Sequence, residues 1–133
     1  MSKSKLLRFA IDYQGFQIKD SFIFKEVAII NVDSGVTFHI IVKAPYDFIF
    51  LAHEVQNYVV SLENYGYKIR WDDGFMRYDE VIPFIQKLLQ NATHIFAKGY
   101  EKCKLISHIC NTIVIDLESV SYTHLTLPTI YSV

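Results

Sequence analysis

The spacing of hydrophobic positions changes period once along the chain. Leu6 to Tyr13 is a short apolar run that reads as a strand, and Gln14-Gly15-Phe16 to Asp20 predicts the turn after it. Phe22 to Asn31, rich in Phe, Val and Ile, predicts a second strand. Asp33-Ser34-Gly35 is a hairpin signal, and Val36 to Lys43 supplies its partner strand. After Pro45 and Asp47 the period lengthens, and Leu51, Val55, Tyr58, Val59 and Leu62 fall on one helical stripe that ends near Asn64-Tyr65-Gly66. Trp71-Asp72-Asp73-Gly74 predicts a loop. A second helical stripe runs through Val81, Ile82, Ile85, Leu88 and Leu89, with Asp79 as its N-cap and Pro83 in its first turn. Thr93 to Lys98 then reads as a strand, Gly99 to Ile109 as a helix, and Thr112 to Leu117 as a last strand.

The element order is therefore β-β-β-α-α-β-α-β. Three hairpin-connected strands followed by alternating helix and strand predict an α/β fold on a mixed sheet. Strands one, four and five would be parallel, joined by right-handed crossovers. Ligands of such sheets gather at the carboxyl ends of the strands. That directs attention to Asp12, which is expected to close strand one, to Lys98-Gly99 at the end of strand four, and to Asp116 near the end of strand five. Carboxylates on neighbouring strand ends are oxygen ligands for Mg²⁺ or Mn²⁺. A pair of such ions can clamp the attacking and leaving oxygens of a phosphodiester.

Composition narrows the classes. Of 133 residues, 51% are hydrophobic and 15% aromatic, which excludes a disordered chain. Lys plus Arg number 13 against 14 Asp plus Glu, a formal charge of −1, so any nucleic-acid contact has to come from a local basic patch. The segment Lys98, Glu101, Lys102 and Lys104 is one such patch or a solvated helix face. The aromatic middle, from Tyr46 and Phe48 to Phe75 and Tyr78, could stack single-stranded bases or simply pack. Cys103 and Cys110 lie about 10 Å apart along a shared helix, beyond the reach of a disulfide, so free thiols in a cytoplasmic or nuclear setting are expected. No apolar run is long enough for a membrane helix.

Phe9-Ala10-Ile11-Asp12-Tyr13-Gln14-Gly15-Phe16 resembles the first motif of the DEDD 3′–5′ exonucleases, an Asp-x-Glu on strand one. Lys25-Glu26-Val27-Ala28 is similar to their second strand, and Tyr78 to Gly99 is similar to the segment leading into their second motif. The chain also resembles short exonuclease-like proteins with an Asp-x-Gln-Gly-Phe start and a Lys-Gly-x-Glu-Lys segment. The resemblance spans about residues 6 to 118. It implies a ribonuclease H-like three-layer fold with a five-stranded sheet in the order 3-2-1-4-5. It further implies metal-dependent 3′–5′ phosphodiester hydrolysis, with Asp12, Glu101 and Asp116 as catalytic residues. Asp12 and Glu101 would be the Mg²⁺ or Mn²⁺ ligands, and Gln14, Phe16, Lys98 and Lys102 would contact single-stranded DNA or RNA.

The sequence departs from that pattern where it matters. Gln14 replaces the Glu of the first motif, Lys98-Gly99 replaces a His-Asn pair, and Cys103 stands at the Asp position of the second motif, with Glu101 matching only after a local shift. An amide binds divalent ions more weakly than a carboxylate. The third motif would lie beyond Asp116. The stretch after Glu118 carries no charge and resembles a translated sequencing adapter, so residues 119–133 are expected to be a non-native tail on an incomplete exonuclease-like domain of residues 1–118. The expectation is an inactive exonuclease-like domain, or a non-catalytic RNA- or protein-binding domain on the same scaffold.

Overall fold

The computed structural model describes residues 6–66 and 68–119. Of the expected tail, residues 119–133, all but Ser119 lie outside the described residues. The elements follow the order read from the sequence: β1 (Arg8–Ile18), β2 (Ser21–Asn31), β3 (Thr37–Ile41), a single 3-10 turn (Phe48–Phe50), α1 (His53–Tyr65), α2 (Tyr78–Leu89), β4 (His94–Ala97), α3 (Tyr100–Cys110) and β5 (Ile115–Asp116). The five strands form one mixed sheet in the order β3-β2-β1-β4-β5. Arg8, Phe9 and Ala10 pair in parallel with His94, Ile95 and Phe96, and Phe96 and Ala97 pair in parallel with Ile115 and Asp116. No helix among the described residues is long and apolar enough to cross a membrane.

The chain folds into two compact units. The first is formed by the described residues within Met1–Asp12, Ile29–Thr37 and Ile85–Val133. Its buried residues include Phe9, Ile11, Ile95, Ala97, Cys103 and Ile106, and α3 packs against β4 and β5. The hairpin turn falls where Asp33-Ser34-Gly35 predicts it. Gly35 adopts φ +80°, and the Asn31 side-chain oxygen accepts the Asp33 and Ser34 amides at 3.0 Å, an Asx turn.

The second unit comprises Tyr13–Ala28 and Phe38–Phe84. Its core joins Phe16, Ile23, Leu51, Val59 and Trp71, with Val55 and Leu62 of the α1 stripe packed against it. The rings of Tyr13, Phe22 and Phe24 meet edge to face at 5.0–5.2 Å. On β2 the alternation brings Ile23, Lys25, Val27 and Ile29 to buried positions. Lys25 is thus a charged residue at an inward position, only 1% exposed. The Trp71–Gly74 segment forms a turn, in which the Arg70 amide donates to the Asp73 carboxylate at 2.9 Å. The Trp71 indole N–H donates to the Tyr46 carbonyl at 2.9 Å.

Three expectations are corrected. Gln14-Gly15-Phe16 is not a turn; β1 continues through it to Ile18, and the chain reverses after Lys19, whose φ is +54°. Gly15 is there because of close approach: a Cβ would stand 1.9 Å from the Ile23 carbonyl oxygen. Pro83 sits at the sixth residue of α2, because the helix begins at Tyr78 and Asp79 lies inside its first turn. The last strand is also short, Ile115–Asp116 in place of Thr112 to Leu117. Its neighbour Ile113 is 84% exposed.

Candidate functional site

The first half of β1, up to Asp12, and the carboxyl ends of β4 and β5 belong to the first unit, and several of the singled-out residues meet there. Because β1 runs on to Ile18, Asp12 lies within the strand, two residues past the last position paired to β4. Its carboxylate is exposed and accepts a hydrogen bond from the ammonium of Lys102, one turn into α3. Asp116, at the end of β5, is tied differently. One of its oxygens accepts the amide of Gly99 and the amide of Glu118, each at 2.9 Å. It thereby joins the end of β5 to the start of α3.

Gly99 is the N-cap of α3, with φ +105°. Glycine suits this position for its backbone freedom alone, since a Cβ there would meet nothing within 4 Å. The first turn of α3 then projects Tyr100, 69% exposed, and Glu101, also exposed. The Lys104 ammonium stands 5.8 Å from the centroid of the Tyr100 ring. On the inner face the Cys103 thiol is directed to the Ala97 carbonyl at 3.5 Å. Burial, with the charge of Asp116 adding to it, pushes that thiol above its ordinary range and keeps it protonated and unreactive.

Charge is local here. Between Lys98 and Lys104 three lysines stand against one glutamate, a net of +2 in a chain whose overall charge is −1. The combination of an exposed ring with flanking ammonium groups suits stacking on a base while holding its phosphates.

The Asp12 and Asp116 carboxylates are engaged by groups of the chain itself. A divalent ion on Asp12 would have to displace Lys102, and one on Asp116 would have to release the Gly99 and Glu118 amides. Glu101 is solvent-exposed on α3, and among the described residues no three His, Cys, Asp or Glu side chains are grouped to hold a metal ion.

Of the sequence-derived candidates, the structure brings Asp12 and Lys102 into contact and places Lys98 and Glu101 beside them in the chain. Gln14 is exposed on β1, in the second unit. Phe16, singled out as a nucleic-acid contact, is fully buried in the second unit's core, its ring 5.6 Å from that of Trp71. Its ring therefore packs and does not stack on a ligand. Trp71 is likewise a core residue, whereas Tyr65 and Phe75 of the aromatic middle are exposed. Sequence reasoning missed Tyr100, although it lies within the Lys-Gly-x-Glu-Lys segment. It also missed the burial of Lys25, which the period-two alternation of Ile23, Val27 and Ile29 signals.

No family model matches the chain, and no curated protein matches it.

Proposed function

We propose that this chain is a non-catalytic, single-stranded nucleic-acid-binding domain on a ribonuclease H-like scaffold, and that it binds through Lys98–Lys104. The observation that carries the reading is the exposed Tyr100 ring beneath Lys104, flanked by Lys98 and Lys102 at the carboxyl end of β4. The strand order β3-β2-β1-β4-β5 is the one that a ribonuclease H-like fold requires, and it supports the scaffold. The Lys102 ammonium on Asp12, together with Gln14 in place of a second acid, favours binding over hydrolysis. In this reading Lys98, Lys102 and Lys104 hold phosphates, Tyr100 stacks on a base, and Asp12 restrains Lys102 until a phosphate replaces it.

The test is fluorescence anisotropy with labelled oligo(dT) and oligo(U). Three phosphate contacts give a slope of about −2 in log affinity against log salt for a single strand. Tyr100→Ala should weaken binding by about 1–3 kcal/mol, roughly 5- to 150-fold. Absence of binding at low salt, or binding that Tyr100→Ala leaves unchanged, refutes the assignment. Cleavage of the same oligonucleotides in Mn²⁺, abolished by Asp12→Ala, refutes its non-catalytic part.

A further inference from the structure

We propose that the second unit holds a binding site for a monocarboxylate with an apolar tail, the tail lying in a cavity between the β1–β2 turn and the start of α1 and the carboxylate on the Lys19 ammonium. The cavity has a volume of about 430 Å³, and all of its lining residues belong to that unit. Small-molecule sites have volumes of about 300–1,000 Å³. Ile23 and Leu51 line it and are core residues, and Val55 packs against the same cluster. They give the cavity an apolar inner wall. Tyr46 and Phe50 also line it, yet they are 42% and 74% exposed, so aromatic surface stands in water there. A saturated tail laid against these residues takes apolar surface out of water on both partners. Each methylene that is fully buried strengthens binding about fourfold.

The choice of head group follows from charge. Lys19 is the one cation among the lining residues, and no Asp or Glu lines the cavity. Among the described residues no ion pair engages Lys19. Asp20 and Glu54 adjoin lining residues in sequence, but both are exposed, where water and salt screen them. The turn that carries Lys19 is fixed: its carbonyl accepts the Gln17 side-chain amide at 2.9 Å, and its φ is +54°. The side chain thus starts from a set point beside the cavity, which lowers the cost of ordering it on a ligand. An ammonium is a compact point charge, suited to a single carboxylate.

The chain's one tryptophan reports occupancy, because Trp71 shares its cluster with Ile23 and Leu51 and its ring lies 5.7 Å from that of Tyr46. Trp71 emission of the full chain is followed at neutral pH during titration with hexanoate, octanoate, decanoate and dodecanoate. Binding should be saturable and should tighten about two- to fourfold for each added methylene. Decanol and decylammonium should bind more weakly than decanoate. Lys19→Asn removes the charge, and asparagine tolerates the left-handed backbone of this position. It should weaken decanoate about 3- to 10-fold and leave decanol unchanged. Ala52→Leu, which adds volume to the cavity from an exposed lining position, should weaken every member of the series. No saturable change below about 1 mM dodecanoate overturns the proposal, as does an affinity that ignores chain length. So does decanol or decylammonium binding as tightly as decanoate, or either variant binding decanoate as the native chain does.

Discussion

Replacing Gly15 with alanine distinguishes two roles of this glycine by the sign of the effect. A glycine in a permissive turn gains about 0.4–1 kcal/mol of stability on conversion to alanine, because the unfolded chain loses freedom. The structure puts Gly15 inside β1, where an added Cβ would lie 1.9 Å from the Ile23 carbonyl oxygen, 2.8 Å from its carbon and 2.9 Å from the tip of the Phe22 ring. Two of these are main-chain atoms and cannot rotate away. Ordinary contact needs about 3.5 Å, so β1 and β2 would have to separate locally by more than about 1 Å. Overpacking of this kind costs about 1–3 kcal/mol, and stretching two ladder hydrogen bonds costs about 1 kcal/mol each. Gly15→Ala should therefore destabilise the chain by about 2–5 kcal/mol. With a urea slope of about 2 kcal/mol per M, the unfolding midpoint falls by about 1–2.5 M. Trp71 emission reports it well, since that ring lies 5.6 Å from Phe16, the next residue along β1. A midpoint that stays put or rises would refute the close-approach reading.

Other substitutions probe the remaining elements. Lys25→Met leaves the carbonyls of Val42, Trp71 and Asp73 without their donor; set against the relief of burying a charge, the net loss should be about 1–3 kcal/mol at neutral pH in urea titrations, and a variant as stable as the native chain would contradict the cage. The sign of the pH effect follows from a folded-state value near 8 against an ordinary 10.5: the unfolded chain binds more protons in that window, so the stability of the native chain relative to Lys25→Met should increase with pH there, and a decrease would be incompatible with a depressed amine. Gly35→Ala should cost about 1–2 kcal/mol in thermal melts despite the open space around it, because φ +80° strains any Cβ; an unchanged melting temperature would count against the hairpin geometry. Asp12→Asn should tighten oligonucleotide binding about two- to fivefold by freeing Lys102, whereas a carboxylate that carries a metal would make the same change weaken binding.

The fold was largely legible because its signals are local. The switch from period two to period 3.6 after Pro45 separates strand from helix, and Asp33-Ser34-Gly35 forces the hairpin through backbone chemistry that needs no partner. The order of elements follows from those signals, and the α/β sheet in the order β3-β2-β1-β4-β5 matches the arrangement that order implies. The length of β1 was not legible. Gln14-Gly15-Phe16 has the composition of a turn, and only the neighbouring strand shows that glycine is needed there for space. The start of α2 was misread too: Asp79 has the residue type of an N-cap, yet the helix begins at Tyr78, which puts Pro83 at its sixth residue.

The candidate site divides along the same line. The sequence by itself determined which residue types stand at the ends of the parallel strands: Asp12, the Lys98-Gly99 pair and Asp116. It also determined the excess of lysine between residues 98 and 104. Tertiary structure alone decided what those groups touch. It gave Asp12 to Lys102, tied Asp116 to two backbone amides, sank Phe16 into a core and left Tyr100 in solvent. The physical reason is range. Backbone preference and periodicity act over a few residues, whereas ion pairing, burial and steric exclusion depend on side chains brought together from distant parts of the chain, 90 residues apart for Asp12 and Lys102.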